Sequence, residues 1–579
     1  MPQGINLLSA GKQPIYCGSH LGTEKEGETV KPRTTLTALA LVGLLTAGCG
    51  GSSGASSQNK GNSGSVLRVG TTFTCNSINP FASTGTTCAM IFRYNYPFLV
   101  QYTGSGAFEG DLATKWTTSG DKLNWTFDLR PGAKWSDGKP LTAADVAFTI
   151  NTIVKFREGA TASEASSVKN VKSATAPTAN QVVVTYQKPT ANVLGRLLKM
   201  PVLPAHVWEK YATGDGMQLK QTPNPAPLVA GGPYRLGKYT KDQIALMEAN
   251  PNWYGEKPKL SGFGLQFFTS PDAMVNALKN NQIDYAAPLP ITAAKPVEQA
   301  GFTVSRQPGF RFHDLIINQS PHQKAHPELR NAGVREAFEL AVDRKKIIDV
   351  AYLGYATPGS SIVPPVTGDW YNPAVKPITF DPAKAAKLLD EAGYRPGPDG
   401  IRVAGGKPMS YEVIIPDVEG GEGERALQIV TEDFKKIGVQ LKPKPADNAT
   451  AFDQLTGPGK KYEQFTLSQW GWIAQRDPDF LLNGMTCAQW GSWNDTGYCD
   501  EEYDKLYDQQ AAAVDDKARQ AIVWQMQKMI YDARPYIVTH YDDVVEGHST
   551  RWTGFGQSPL GILDSQSRQG LLSATTTGS

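Results

Sequence analysis

The sequence predicts an α/β protein large enough for two to four lobes at roughly 150 residues per domain. Three observations carry that reading. Strand-like and helix-like patterns alternate along most of the chain, which is 579 residues long, and 40% of it is hydrophobic while Gly and Pro number 57 and 40. Alternating patterns imply strands covered by helices, and abundant Gly and Pro suit a loop-rich mixed fold. Charge is balanced, 57 Lys+Arg against 55 Asp+Glu, which argues against a nucleic-acid partner because phosphates demand a basic face. Dispersed charge with 9% aromatics argues against a disordered body. No run of about 18 apolar residues occurs, so an integral transporter is not expected.

Residues 1–49 read as a leader. Lys31 and Arg33 precede the apolar stretch Leu36–Leu45, followed by Thr46-Ala-Gly-Cys49. The stretch is too short to span a bilayer but has the length of a signal-peptide core. Small residues ending in cysteine resemble the lipobox of bacterial lipoproteins, which implies cleavage before Cys49 and lipidation of its thiol. Thr46 stands where the commonest pattern has Leu. Positions 1–29 lack a signal's character, so translation is expected to start near Val30. Residues 50–65, nearly all Gly, Ser, Ala, Asn and Gln, read as a tether with a reach of roughly 20–25 Å. Gly50-Gly-Ser-Ser-Gly54 within it matches the nucleophile elbow of hydrolases, yet no strand precedes it and no helix follows.

The body follows. Val66–Phe73 and Trp125–Leu129 read as strands. Thr142-Ala-Ala-Asp145 reads as a capping box opening a helix with Val146, Ile150 and Ile153 inward. Ser270-Pro-Asp272 starts a helix over 273–281, and Ile283-Asp-Tyr-Ala286 follows as a strand. Val334, Phe338, Ala341 and Val342 mark another helix face. Asp381-Pro382 opens a helix that Gly393 closes. Glu424–Ile437 is a helix before the strand Val439-Gln-Leu441, and Ala511–Ile530 reads as one last long helix.

Four cysteines lie in the body, Cys75, Cys88, Cys487 and Cys499, in two local pairs about a dozen residues apart. An exported chain makes disulfides Cys75–Cys88 and Cys487–Cys499 the expectation. No Cys-x-x-Cys or Cys/His cluster supports a metal instead.

Trp125-Thr-Phe-Asp-Leu-Arg-Pro-Gly-Ala-Lys-Trp-Ser-Asp-Gly-Lys-Pro-Leu-Thr-Ala-Ala-Asp-Val-Ala-Phe-Thr149 closely resembles the signature of the peptide/nickel class of extracellular solute-binding proteins, the receptor subunits of ABC importers. The resemblance recurs at Leu203-Pro-Ala-His-Val-Trp208, Gly232-Pro-Tyr-Arg-Leu236, Asn250-Pro-Asn-Trp-Tyr254, Val334–Arg344 and Lys387–Gly393, and spans Val66 to about Phe555. It implies a two-lobed periplasmic-binding-protein-like fold (type II, large cluster, with an extra subdomain) and a hinge between the lobes. The lobes are expected at 66–310, extra subdomain included, and at 311–535. Residues 536–579 return to the first lobe and form the tail. Crossings are expected near Gly309–Asp314 and Arg534–Tyr541.

The resemblance also implies the site. In oligopeptide- and dipeptide-binding relatives a Gly-Trp pair lies at the ligand, and an acid shortly after it pairs with the peptide's amino terminus. Gly471 and Trp472 match the pair, but Gln475 replaces the acid in Ser468-Gln-Trp-Gly-Trp-Ile-Ala-Gln-Arg-Asp-Pro-Asp479. Three readings stay open: Asp477 serves instead; the ligand lacks a free amine or stacks on Trp470 and Trp472; or Arg476 attracts a carboxylate or phosphate. A core role for the tryptophans is the plainer reading. Ile473, Thr72, Phe73, Asn76, Phe312 and His313 complete the candidate contacts, and Trp490 and Trp493 are expected to support their loop.

The expected function is an extracytoplasmic receptor, a monomer without cofactor or bound metal, anchored to the outer face of the cell membrane. It captures a small solute, a peptide being the first expectation, and delivers it to permeases that work with cytoplasmic ATPases. The alternatives are a metal chelate, haem, sugar or opine-like solute, and a secreted hydrolase. Gly232-Pro-Tyr-Arg-Leu-Gly-Lys238-Tyr239 approaches a phosphate-binding loop, but Tyr replaces the metal-binding hydroxyl residue and Pro interrupts it. His322 and His326 have helical ligand spacing, but Pro321 and Pro327 flank them.

Overall fold

The computed structural model describes residues 66–577, Thr84 and Ser105 excepted. The leader, Cys49 and the tether lie outside the described residues.

Two strands dominate the architecture. Thr303–Ile317 and Tyr536–His548 run antiparallel through the middle of an eleven-stranded sheet. At roughly 3.3 Å per residue the longer spans about 50 Å, enough to serve two bodies. On one side lie, in order, Tyr285–Ala286, Val66–Thr71, Gly262–Phe267, Ile244–Ala249 and Tyr234–Thr240. On the other lie Leu467–Ile473, Ser410–Pro416 and Gln440–Ala446. Pro443 and Pro445 are tolerated in the last because it is an edge strand. The short strand Ala356–Pro358 joins the side of Tyr536–His548.

The hydrophobic core divides accordingly. A first-lobe core gathers Leu67, Val69, Tyr94, Trp135, Leu236 and Phe263, and receives Trp552, Ile562 and Leu571 from the end of the chain. Two second-lobe clusters pack around Phe338, Tyr411 and Phe434, and around Phe312, Trp470 and Tyr536. A separate antiparallel sheet, Ala113–Thr118, Asn124–Leu129, Gln181–Tyr186 and Val171–Thr178, backs onto the helix Ala143–Phe156.

Local chemistry accounts for many element ends. The Thr142–Asp145 capping box forms, with Asp145 accepting from the Thr142 amide at 2.9 Å. Ser270 caps Pro271–Lys279, and Gly393, at φ 86°, follows Pro382–Glu391. A side chain at that φ would be strained. The expected single helix Ala511–Ile530 is two helices, Glu501–Ala512 and Asp516–Ala533. Asp515 accepts from the Ala518 amide and starts the second, so a cap inside the apolar pattern divides it. Both disulfides are present, Cys75–Cys88 and Cys487–Cys499, with Cα separations of 4.9 and 4.7 Å. Gly232–Tyr239 leads into the strand Tyr234–Thr240, not into the helix a phosphate-binding loop needs.

Candidate functional site

The two long strands lose register between Pro308 and Phe312 and again between His313 and Asp314, opposite Val538–Asp543. Bulges bend a strand and re-aim its side chains. Here Leu467–Ile473 pairs alongside, placing Phe312 opposite Trp472, His313 opposite Gly471 and Asp314 opposite Trp470. Because strand side chains alternate, Phe312, Asp314, Trp470 and Trp472 share one face and His313 lies on the other.

On the first face Trp470 is buried and Trp472 half-buried. The Trp472 indole donates to Asp495 at 3.1 Å, and the Tyr536 hydroxyl donates to the same carboxylate. Burial raises the Asp495 carboxyl to about 6 despite both bonds. Trp472 meets Phe480 and Trp493 at ring separations of 6.1 Å each. With Phe312, Ile362 and Met485 they line a tight apolar recess of about 10 Å³.

Polar groups from the two lobes meet near this recess. Arg196 pairs with Asp479 at 2.6 Å, and the Lys199 ammonium donates to Gln475. Burial works against the Asp479 carboxylate, but Arg196 and Gln510 outweigh it and hold its pKa below the usual range. Burial lowers Lys199 and raises Glu164 to about 7. Lys199 nevertheless keeps accessible surface. The Arg476 guanidinium lies over the Tyr102 ring at 5.0 Å, with the Asp564 carboxylate 4.0 Å away. Among the described residues its buried Nε and Nη2 meet no hydrogen-bond acceptor, which is costly unless something supplies one.

On the second face His313 bridges Glu419 at 2.7 Å through Nδ1 and Asp542 at 2.9 Å through Nε2. Burial opposes its charge, but the two carboxylates raise it to about 9. His540 stacks on it at 4.6 Å, and burial lowers that imidazole to about 4.

Several expectations are corrected by this geometry. His313 is committed to Glu419 and Asp542 in the crossing, not open to the cleft. Gly471 serves that crossing too: a Cβ there would stand 3.0 Å from His313 Nδ1 and 3.2 Å from Glu419 Oε1. Asp477 is not free for an amine, because Arg519 grips it at 2.5 and 2.8 Å. Trp470 and Phe312 are core, although Phe312 also walls the recess. Ile473 is exposed on the opposite face from Trp472. Thr72 and Phe73 follow the first strand and line neither recess, while Asn76 lines a second one with Pro223, Pro225 and Lys238. Trp490 supports its loop by donating to the Tyr498 carbonyl at 2.9 Å, but Trp493 lines the recess. His322 packs against Trp490 and His326 bonds Glu328, so they do not converge. Sequence reasoning missed Phe480, Asp495, Glu164, Arg196 and Lys199, none of which carries a local motif.

Comparison with known proteins points in one direction. The family model described as bacterial extracellular solute-binding proteins, family 5 Middle, matches residues 107–492. Protein XP55 of Streptomyces lividans is 29% identical over 459 residues, covering 78% of this chain and 79% of its own. The glutathione-binding protein GsiB of Escherichia coli O1:K1 is 24% identical over 508 residues, covering 85% and 92%. Among solved structures, the ABC transporter substrate-binding protein CtaP from Listeria monocytogenes superposes with a TM-score of 0.76 at 24% identity, covering 89% and 100%.

Proposed function

The chain belongs to family 5 of the bacterial extracellular solute-binding proteins, the peptide/nickel class that serves ABC importers, and from that premise we propose that it captures short peptides. It holds them between its lobes and delivers them, unaltered, to permeases driven by cytoplasmic ATPases. What supports the peptide reading is the company of polar groups from both lobes beside an aromatic recess. Arg476 has donors to spare, Glu164 supplies a carboxyl, Lys199 an ammonium, and the Trp472–Phe480–Trp493 recess lies close by. A peptide offers the matching set: a carboxylate for a guanidinium, an amine for an acid, and an apolar side chain for an aromatic pocket. With Asp477 held by Arg519 and Gln475 by Lys199, Glu164 is the candidate acid for the amine.

Contacts from both lobes to one ligand favour closure. The bulged stretch Pro308–Asp314 with its partner Val538–Asp543 is the hinge. Lipidation at Cys49 and a monomeric state complete the proposal, with the tether holding the body near the outer membrane face.

The test is a thermal-shift and native mass spectrometry screen with di- to pentapeptides beside nickel–histidine, haem, sugars and opines. A peptide at a hundredfold excess over its Kd stabilises by about 2.7 kcal/mol, a clear rise in melting temperature, with the intact peptide recovered afterwards. Stabilisation by another solute class alone overturns the peptide reading, and recovery of cleaved peptide overturns capture without turnover.

A further inference from the structure

Three side chains at the crossing of the two long strands converge in a way that ligand capture does not use. His313 Nε2 lies 2.9 Å from Asp542 Oδ2, and His540 Nε2 lies 3.4 Å from Asp542 Oδ1. All three donor groups fall within 4.8 Å of one another. Donors on one ion at bonds of 2.0–2.1 Å stand about 2.9–3.4 Å apart at octahedral to tetrahedral angles, so the two carboxylate–imidazole pairs already stand at such separations, and the two imidazoles need only draw together from within 4.8 Å. We infer that His313, His540 and Asp542 bind one first-row transition-metal dication of the zinc or nickel class, clamping the hinge between the lobes.

Three further observations support the assignment. His540 Nε2 and Asp542 Oδ1 are buried and face each other at 3.4 Å without a well-aligned hydrogen bond, and neither has another hydrogen-bond partner among the described residues. The far nitrogen of each ring is held in the manner of metal-bound histidines: His313 Nδ1 by Glu419 at 2.7 Å, and His540 Nδ1 by the Thr539 hydroxyl at 2.9 Å. Such outer partners fix ring orientation and raise ligand basicity. Finally, the Asp542 and Arg311 side chains keep 24% and 30% of their surface exposed, leaving an entry path and room for water to complete the coordination.

Arg311 is the opposing group. Its Nε is 3.1 Å from His313 Nε2 and 3.7 Å from Asp542 Oδ2, where an ion would repel it. The guanidinium also pairs with Glu419 at 3.3 Å, so a swing toward that partner and solvent clears the position. The ion then takes the place of the proton between His313 and Asp542. Imidazole with a single carboxylate favours zinc, nickel or cobalt over magnesium or calcium.

The experiment uses the purified full chain, stripped with a chelator and free of peptide, so that its outcome is independent of ligand capture. Equilibrium dialysis against Zn²⁺, Ni²⁺ or Co²⁺ is expected to retain one ion per chain. His540→Ala and Asp542→Asn should abolish retention, Glu419→Gln should weaken it about 10- to 100-fold, and His322→Ala should leave it unchanged. Should the hinge variants fail to fold, histidine-selective NMR on the unaltered protein decides: two imidazole signals should move on adding Zn²⁺ and shift assignment to His313 and His540. No stoichiometric retention, retention that survives His540→Ala in a folded variant, or imidazole signals unmoved by Zn²⁺ overturns the site.

Discussion

Arg196 and Asp479 meet at 2.6 Å although 283 residues separate them, one on each side of the cleft, with side chains only 13% and 16% exposed. An ion pair that exists only when the lobes are together rewards closure directly. Truncating one partner of a buried pair is costly because the other charge stays behind. Gln510 and Tyr507, which also bond Asp479 at 3.1 and 3.3 Å, soften that cost. Arg196→Ala is therefore expected to weaken peptide binding by about 2 kcal/mol, near 30-fold. Calorimetry measures it, and affinity within threefold of the unaltered protein would remove the pair from the liganded state.

Trp472 does two jobs, walling the recess and donating to Asp495. Trp472→Phe keeps ring packing but drops the N–H, and Phe480→Ala opens the recess while leaving that bond intact. Peptides with a large apolar side chain should lose tenfold or more in affinity to Phe480→Ala, about 1.4 kcal/mol or greater, while glycine-rich peptides change little. Equal losses for both peptide classes in a binding titration would show that the recess does not receive a side chain.

The sequence revealed what is written locally. Thr142 and Asp145 are three residues apart, Ser270 abuts Pro271, and each cysteine pair closes a short loop, so caps and disulfides were legible. The Trp125–Thr149 signature carried the fold by resemblance. The site was legible only where the Gly-Trp motif marked it, and there half the meaning was different: Gly471 makes room for His313 and Glu419, while Trp472 faces the recess. His313 reaches Glu419 and Asp542 across separations of 106 and 229 residues. No local pattern announces such partners, because the strand pairing alone brings them together. Asp477 misled for the same reason, since Arg519 sits on a helix 42 residues later.

Closing the Cys487–Cys499 loop, 12 residues in separation, constrains the unfolded chain by about 3 kcal/mol in the loop-entropy account. That loop carries Trp493 and Asp495, so its order also shapes the recess. Replacing both cysteines by serine should lower the melting temperature and weaken peptide binding together. The Cys75–Cys88 double variant should lower the melting temperature with a smaller effect on binding, because neither residue lines the aromatic recess. Differential scanning calorimetry beside binding titration separates them, and identical binding losses in the two variants would contradict the placement.

Asp495 sets a pH dependence whose sign can be worked out. Burial raises its carboxyl to about 6, against a smaller pull downward from Tyr536 and Trp472, while an unfolded aspartate sits near 3.9. The folded protein therefore keeps a proton that the unfolded chain has released. That contribution is fully present below about pH 4 and is lost as pH rises through about 6. The loss amounts to roughly 3 kcal/mol over the two units. Asp314 faces the same acid with both carboxylate oxygens buried and without a hydrogen-bond partner among the described residues, and burial pushes its carboxyl well above the usual range, so it adds in the same direction. Glu419, held near 2 against the pull of burial by His313 and Arg311, acts oppositely: its contribution is present above about pH 4 and fades as pH falls toward 2. Between pH 4 and 7 the Asp495 effect is thus isolated by comparison with Asp495→Asn, which cannot ionise. Urea unfolding should show the variant gaining on the unaltered protein by up to about 3 kcal/mol across that window. Parallel stability curves would mean that Asp495 titrates in the folded protein as it does in the unfolded chain, and that the Trp472 indole binds a charge, not a neutral acid, already at about pH 5.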